Sequence, residues 1–128
     1  MTTKTIEIWP GVEVDIIDNA VKVDVAPTLT VTVPTQVIKT VAAAATPEAL
    51  AADATYFSTA TLVAKKAART VNTGIVYLGI GATNDAQPIP LNPGDIWEIA
   101  APAGQKYDLN DFYLDVVTAG DGVAIVYS

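Results

Sequence analysis

The sequence predicts an all-β protein, an antiparallel β-sandwich or jelly-roll-like domain preceded by an extended N-terminal β arm. Three observations predict this class. Apolar and polar residues alternate with period two through the first forty residues, which is typical of half-buried strands. Short strand candidates separated by Gly, Pro and Asn turns then follow at near-regular spacing. No long helical pattern alternates with the strands, which argues against a parallel α/β sheet. The arm is predicted over residues 1–45 and the sandwich over residues 46–128.

The arm contains a series of one-sided strands. Segment 12–17 returns as 21–25 across the Asp18-Asn19 turn, 29–33 follows, and Pro34 separates it from a fourth candidate at 36–41. Each such strand has an apolar face and edges that need cover, and so short a run cannot form both layers of a sandwich. We therefore expect the apolar faces and edges of these strands to be covered by the rest of the chain or by another copy of it. The predicted assembly interface comprises Val12, Val14, Ile16, Val21, Val23, Val25, Leu29, Val31 and Val33.

The segment between the arm and the sandwich is ambiguous. Residues 42–45 are all alanine and read as a connector, because their side chains have little to bury. Thr46-Pro47-Glu48 and the residues after it offer an N-cap, a proline at the first helical position and good helix formers. One short helical turn and a strand leading into the sandwich are about equally supported here.

The sandwich region is punctuated by turn sequences. Its main turn signals are Asn72-Thr73-Gly74 and Asn92-Pro93-Gly94, with further loops expected at 81–90, 101–104 and 119–122. The strand candidates that these loops separate are 56–64, 70–72, 75–80, 96–100, 112–117 and 123–127.

Composition argues against enzymatic and cofactor chemistry. The 128 residues include no cysteine and no histidine. Thiolate and imidazole metal sites, disulfides and the common catalytic triads therefore cannot be built. Because histidine supplies proton transfer so often, we expect a protein that is not an enzyme and that needs no cofactor or metal.

The net charge and the hydropathy of the chain limit the kinds of partner that we expect. The net charge is −7, whereas nucleic-acid binders are normally basic because phosphate neutralisation supplies much of their affinity. No apolar stretch approaches the length of a signal peptide or a membrane span. We therefore expect no nucleic-acid partner, no membrane partner and no export through a signal peptide.

Two charged clusters have competing interpretations. Asp108, Asn110 and Asp111, with Asp115 and Asp121 further on, offer oxygen ligands of the kind that calcium takes. Their spacing does not match an EF-hand loop, which favours a solvated acidic loop. The basic cluster of Lys65, Lys66 and Arg69 could dock on an acidic neighbour or line a nucleic-acid path. A strand edge protected by lysine is the better interpretation, because so few charges neutralise little phosphate.

Aromatic residues are the candidates for a carbohydrate site, because their rings can stack on sugars. In a small β domain they more often belong to the core or to a subunit contact, which is the interpretation we favour. The residues concerned are Trp9, Tyr56, Trp97, Tyr107, Phe112 and Tyr113.

Four sequence elements of the second part resemble a known class of small β-sandwich module. They are Arg69-Thr70-Val71-Asn72-Thr73-Gly74, Val76-Tyr77-Leu78-Gly79, Leu91-Asn92-Pro93-Gly94-Asp95 and Asp121-Gly122-Val123-Ala124-Ile125-Val126-Tyr127. The class is found in virion proteins of tailed bacteriophages, including head decoration proteins and head fibres. The resemblance covers about residues 46–128 and leaves out the arm.

The resemblance implies a structural protein on the exterior of a phage particle, made in the host cytoplasm. The expected role is a capsid decoration (cement) protein, with a head-fibre base as a close variant, which stabilises the head through its N-terminal arm. The expected partners are further copies of the chain and the major capsid protein or another virion protein. Closure of equivalent arms around an axis favours a cyclic oligomer, and the resemblance implies that it is a homotrimer.

The alternative is a receptor- or glycan-binding module of a tail or head fibre. The location of exposed aromatic residues separates the two functions. A binding tip should concentrate aromatics in loops at one end, whereas a cement protein should place apolar side chains in the arm and at subunit contacts.

Overall fold

The computed structural model describes residues 31–128, in which strands dominate and the one helical element is a single 3₁₀ turn at Leu109–Asp111. No helix in this part of the chain has the length and apolar character needed to cross a membrane. The strands are β1 (Thr35–Thr40), β2 (Glu48–Ala49), β3 (Tyr56–Phe57), β4 (Thr59–Val63), β5 (Lys65–Ala67), β6 (Thr70–Val71), β7 (Val76–Gly79), β8 (Ile89–Leu91), β9 (Ile96–Ala100), β10 (Tyr107–Asp108), β11 (Tyr113–Val116) and β12 (Gly122–Tyr127).

These strands form two four-stranded sheets that pack face to face. The front sheet has the order β1-β12-β4-β9 and the back sheet the order β2-β11-β7-β8, and the pairing is antiparallel throughout both. Two short ribbons, β3 with β10 and β5 with β6, complete the described strands. The all-β sandwich predicted from the sequence is confirmed.

The core lies between the two sheets and follows the period-two patterning of the strands. In the front sheet Leu62 and Ile125 are fully buried while their neighbours along the chain are more exposed. In the back sheet Leu78 and Leu114 pair directly and are likewise buried. Alternation of this kind places one face of each sheet in the core, as expected for strands with every second residue apolar.

The predicted strands of the sandwich region are all present. Each of the six candidates between residues 56 and 127 contains an observed strand, and 56–64 divides into β3 and β4. The short strands β5, β8 and β10 lie outside the predicted candidates. Strand β8 was missed because the sequence pattern predicts a loop over 81–90. Pro90 made this segment look unlike a strand, but β8 is an edge strand, where proline is tolerated.

The first described strand belongs to the sandwich. The sequence pattern predicts a strand over 36–41 and groups it with the arm, whereas β1 pairs with β12 along its whole length, from Thr35 opposite Tyr127 to Thr40 opposite Gly122. Residues Val33–Ser128 form one compact unit. The strands predicted for the arm over 12–17 and 21–25 lie outside the described residues, as does the start of 29–33. The described part of 29–33, residues 31–33, does not form a strand within this chain.

The ambiguous segment after the alanine tract contains a strand. Strand β2 pairs with β11 at the edge of the back sheet. On β1, at the edge of the front sheet, the Lys39 ammonium Nζ lies 2.6 Å from Oε1 of Glu48 on β2. The hydrogen bond from Lys39 lowers the pKa of the Glu48 carboxyl below its ordinary value. This ion pair joins the two sheets along one side of the sandwich.

Candidate assembly surfaces

The predicted interface residues that the structure describes are exposed. Val31 and Val33 have 90% and 87% of their surface accessible, and they lie immediately before β1. The other seven predicted interface residues, Val12, Val14, Ile16, Val21, Val23, Val25 and Leu29, lie outside the described residues. Two apolar side chains of one alternating segment are thus available for contact with a partner.

The outer face of the front sheet carries a row of apolar residues. Ile38, Ala124, Val63 and Ile96 lie opposite one another on the four consecutive strands. Ile96 is 62% exposed and Ile38 40% exposed, so the two ends of the row face solvent. An apolar row across a whole sheet face is typical of a contact surface, although single exposed apolar residues need no such explanation.

An apolar groove runs beside β9, the other edge of the front sheet. It has a volume of about 740 Å³, and its lining includes the apolar side chains of Ile80, Ile89, Trp97, Ile99, Tyr107 and Phe112. Glu98, Asp108 and Asp111 contribute acidic groups to the same lining. We call this feature the edge groove.

The register of β9 explains why Trp97 lines the edge groove. Trp97 lies opposite Leu62, and Ile99 lies opposite Ala60, both of which are buried core residues. Paired residues of neighbouring strands point to the same face of a sheet. Trp97 and Ile99 therefore belong to the inner face of the front sheet, yet Trp97 remains 39% exposed. The alternation of Trp97 with Ile96 and Glu98 in the sequence would allow this side chain to face outward, and the register places it on the inner face instead.

Aromatic packing forms one wall of the edge groove. The rings of Phe57, Tyr107 and Phe112 lie with their centroids 6.0 to 6.1 Å apart and meet edge-on or tilted. Phe57 is fully buried and Tyr107 half-exposed, so the cluster extends from the core to the surface. Such contacts stabilise the wall by about 0.5–1.5 kcal/mol per pair beyond the area they bury.

The acidic residues mainly serve the fold, which corrects the prediction of a solvated acidic loop. Asp108 Oδ1 accepts the backbone N–H groups of Thr55 and Asn110, at 2.8 and 2.9 Å, and so caps the 3₁₀ turn. Asp115 and Asp121 are buried. No cluster of three or more potential metal-ligating acidic, histidine or cysteine residues occurs within residues 31–128.

Two of the motifs that carry the phage resemblance meet in space. The Asp121 carboxylate accepts the backbone N–H groups of Thr73, at 3.0 Å, and Gly74, at 2.8 Å. The Asn72 side chain donates to the Gly122 carbonyl and accepts the Gly122 N–H. These four bonds join the 72–74 turn to the start of β12, a role that spacing alone could not indicate.

The basic cluster forms local hydrogen bonds. Lys65 and Lys66 lie on β5, which pairs with β6 in a two-stranded ribbon. The Lys66 ammonium donates to Thr73 Oγ1 at 2.9 Å, and that of Lys65 donates to the Ala68 carbonyl at 3.1 Å. These bonds fit a structural role for lysines on a short ribbon.

Exposed aromatic residues in the described part of the chain lie on strands. Tyr56, Trp97 and Tyr107 are on β3, β9 and β10, and the last two line the edge groove. The pattern differs from the loop-borne cluster expected of a binding tip.

Comparisons of the chain with protein-family models, with curated proteins and with solved structures found no match.

Proposed function

We propose that this chain is a structural protein of a tailed-phage virion, a capsid decoration protein that attaches through its N-terminal arm. The observation that carries the proposal is the near-complete exposure of Val31 and Val33 next to a sandwich that has a buried apolar core of its own. Apolar side chains on one face of an alternating segment favour contact with a partner. The resemblance of about residues 46–128 to virion modules of tailed phages is the reason for proposing a phage particle.

The proposed role is non-enzymatic. The chain has no histidine or cysteine, and Asp108 and Asp121 are engaged by backbone N–H groups that hold turns in place. Carboxylates held in this way act in the fold and leave little for acid–base chemistry. In this proposal the protein forms a homotrimer on the particle exterior and binds the major capsid protein or another virion protein.

A binding assay tests the attachment role. Purified protein would be mixed with undecorated capsids of the phage that encodes it, and the sedimenting fraction measured. We expect Val23→Asp and Val31→Asp each to lower capsid affinity at least tenfold, because a charge would enter an apolar contact. Thr32→Asn is the matched control, since it places a side chain of the shape of aspartate, without the charge, on the opposite face of the same segment, and it should bind nearly as wild type.

The assay has an opposite outcome that would overturn the proposal. If the two valine variants bind normally while substitutions in residues 81–95 abolish binding, the sandwich is the attachment surface. Immunogold labelling of purified particles would show where on the particle the protein lies. Label confined to the tail tip would favour the second candidate function.

That second candidate is a receptor- or glycan-binding module of a tail or head fibre. It is favoured by the partial exposure of Trp97 and Tyr107 in one groove together with carboxylates, because aromatic rings and acidic oxygens are common sugar-binding groups. In a Trp9→Phe variant, Trp97 is the remaining tryptophan of the chain. A saturable change in its fluorescence on titration with host surface glycans would support this function.

A further inference from the structure

The backbone of β9 presents unused hydrogen-bonding groups at the sheet edge. The N–H of Ala64 donates to the Asp95 carbonyl at 2.9 Å, and the N–H of Ala101 donates to the Ser58 carbonyl at 2.7 Å. Because hydrogen-bonded positions alternate along an antiparallel strand, Trp97 and Ile99 direct their backbone groups to β4. The N–H and C=O groups of Ile96, Glu98 and Ala100 therefore point away from β4. Among residues 31–128, β9 pairs with β4 alone.

The edge groove lies where the inner side chains of a fifth strand would go. Trp97 and Ile99 are the inner-facing residues of β9, and both line the groove. Ile80, which is 75% exposed, lines it as well. A strand added beside β9 would place every second side chain on the inner face of the sheet, next to these residues. The groove therefore fits a strand with one apolar face.

Residues 29–33 have the pattern that this position requires. Leu29, Val31 and Val33 alternate with Thr30 and Thr32, which gives an apolar face and a hydroxyl-bearing face. Val31 and Val33 are almost fully exposed. Placed beside β9, the apolar face would meet the groove and the threonine face would lie beside Glu98. We call residues 29–33 the donor strand.

The donor strand cannot reach the β9 edge of its own chain. Only Pro34 separates Val33 from Thr35, the first residue of β1, so these two Cα atoms lie at most about 7 Å apart. Strands β1 and β9 are the opposite edges of a four-stranded sheet, three strand spacings or about 14 Å apart. A donor strand on β9 must therefore come from another copy.

We propose that the donor strand of one copy adds to the β9 edge of a neighbouring copy and fills its edge groove with Leu29, Val31 and Val33. The inference rests on the proposed function and names the partner of this part of the arm. The contact is head-to-tail, because each copy gives a strand at one edge of its sheet and receives one at the other. Such contacts close into a ring when the rotation permits, in agreement with the proposed homotrimer.

A proline substitution on β9 tests the proposal with little disturbance of the fold. The Glu98 N–H points to the open edge, so Glu98→Pro removes a donor that an added strand needs and keeps the bonds to β4. Glu98→Ala is the matched control, because it removes the same side chain and keeps the N–H. By light scattering we expect the wild type and Glu98→Ala to be oligomers of the same size. Glu98→Pro should raise the dissociation constant at least tenfold while its circular dichroism stays unchanged.

Cysteine pairing tests the same contact without weakening it. The chain has no cysteine, so introduced thiols have no native competitors. Thr32→Cys and Glu98→Cys would lie on the same face of adjacent strands. Under mild oxidation a protein that carries both should give covalent species larger than dimers on a non-reducing gel, whereas each single variant can reach only a dimer.

The outcomes separate this proposal from the proposed function. A monomeric wild type, or an oligomer that Glu98→Pro leaves intact and that the cysteine pair fails to cross-link, overturns strand donation. A glycan that binds the edge groove of the intact oligomer also overturns it, because the groove would then be empty of the donor strand. Loss of association in Glu98→Pro together with cross-linking supports it. Failure of the wild-type oligomer to bind capsids would overturn the phage role and leave strand donation standing.

Discussion

At the scale of single residues, Asp121 shows how a surface-type residue becomes part of the core. Its sequence context, Gly120-Asp121-Gly122, is typical of a solvent-exposed turn. In the structure Asp121 is 1% exposed, because its carboxylate replaces water as the acceptor for two backbone N–H groups of the 72–74 turn. Sequence patterning reports which residues are polar, and it does not report which distant N–H groups a carboxylate will meet.

Asp121→Ala should therefore be strongly destabilising. The substitution leaves the N–H groups of Thr73 and Gly74 without their acceptor in a partly buried turn. We expect a loss of about 3 kcal/mol in the free energy of unfolding, since hydrogen bonds to charged groups contribute roughly 1.5–3 kcal/mol each and are not fully additive. Urea denaturation measures the loss.

Asp95→Ala is the matched control for Asp121→Ala. Asp95 is exposed and accepts one N–H, that of Asn92, at 2.9 Å across the Asn92-Pro93-Gly94-Asp95 turn. Its replacement should lower the free energy of unfolding by about 1 kcal/mol or less. Equal losses for the two aspartates would show that burial of Asp121 has no energetic consequence.

Gly122 is required by close packing between β1 and β12. A Cβ atom at this position would overlap the Lys39 carbonyl oxygen and approach the Thr40 Cα atom on the adjoining strand. Backbone atoms cannot move aside as a flexible side chain can, so Gly122→Ala should cost about 3 kcal/mol or displace β1 from the sheet. Thermal denaturation and amide hydrogen exchange in β1 would show the change.

Gly104→Ala separates steric overlap from backbone strain. Gly104 has a φ of 78°, and a Cβ atom built there meets no other atom within 4 Å. Alanine at this position should cost about 1 kcal/mol, which is the penalty for a left-handed conformation alone. A loss as large as that of Gly122→Ala would contradict the packing explanation for Gly122.

At the scale of secondary-structure elements, the sequence predicts strands better than it predicts their partners. Alternation and turn chemistry located most of the strands between residues 56 and 127, with β5, β8 and β10 the exceptions. The Asn92-Pro93-Gly94 turn is present with Gly94 at a φ of 86°. Short strands such as β2 and β10 have too few residues to show a period. The assignment of β1 to the sandwich depends on its long-range pairing with β12, which local patterning does not contain.

The Lys39–Glu48 pair connects the edges of the two sheets, and its contribution depends on pH. The hydrogen bond from Lys39 lowers the pKa of Glu48 in the folded protein from its ordinary value of 4.5. A carboxyl with a lowered folded-state pKa stabilises the fold above its unfolded-state pKa, and the contribution is lost as the pH falls through the folded-state pKa. Because the Glu48 side chain is 37% exposed, solvent screening limits the contribution to about 0.5 kcal/mol.

Glu48→Gln should therefore lower the free energy of unfolding by about 0.5 kcal/mol at neutral pH and by much less at about pH 3. Urea denaturation at both pH values measures this difference, and added salt should reduce the neutral-pH effect. Glu98→Gln is the control, because Glu98 is an exposed glutamate of an edge strand. If Glu48→Gln lowers the free energy of unfolding equally at both pH values, the side chain of Glu48 stabilises the fold through packing and not through its charge.

At the scale of the whole molecule, the candidate site could be predicted only in part. Alternating valines predict that the apolar face of the arm packs against a partner, and the two of them that the structure describes, Val31 and Val33, are exposed. The edge groove could not be foreseen, because it depends on the register that turns Trp97 inward and on the order of strands that leaves β9 at an edge. Sequence periodicity defines faces, whereas grooves arise from the relative placement of several strands.

Removal of residues 1–33 should separate folding from assembly. The buried apolar core described here begins at Val41, so the truncation removes no part of it and keeps β1 intact. We expect residues 34–128 to unfold cooperatively, with a Tm within roughly 5 °C of the Tm of the sandwich in the full chain. The truncated protein should be monomeric by light scattering and should not sediment with capsids, because the donor strand and the rest of the arm are gone. A truncated chain that still forms the wild-type oligomer would place the subunit contact on the sandwich itself, with the apolar row from Ile38 to Ile96 as the first surface to test.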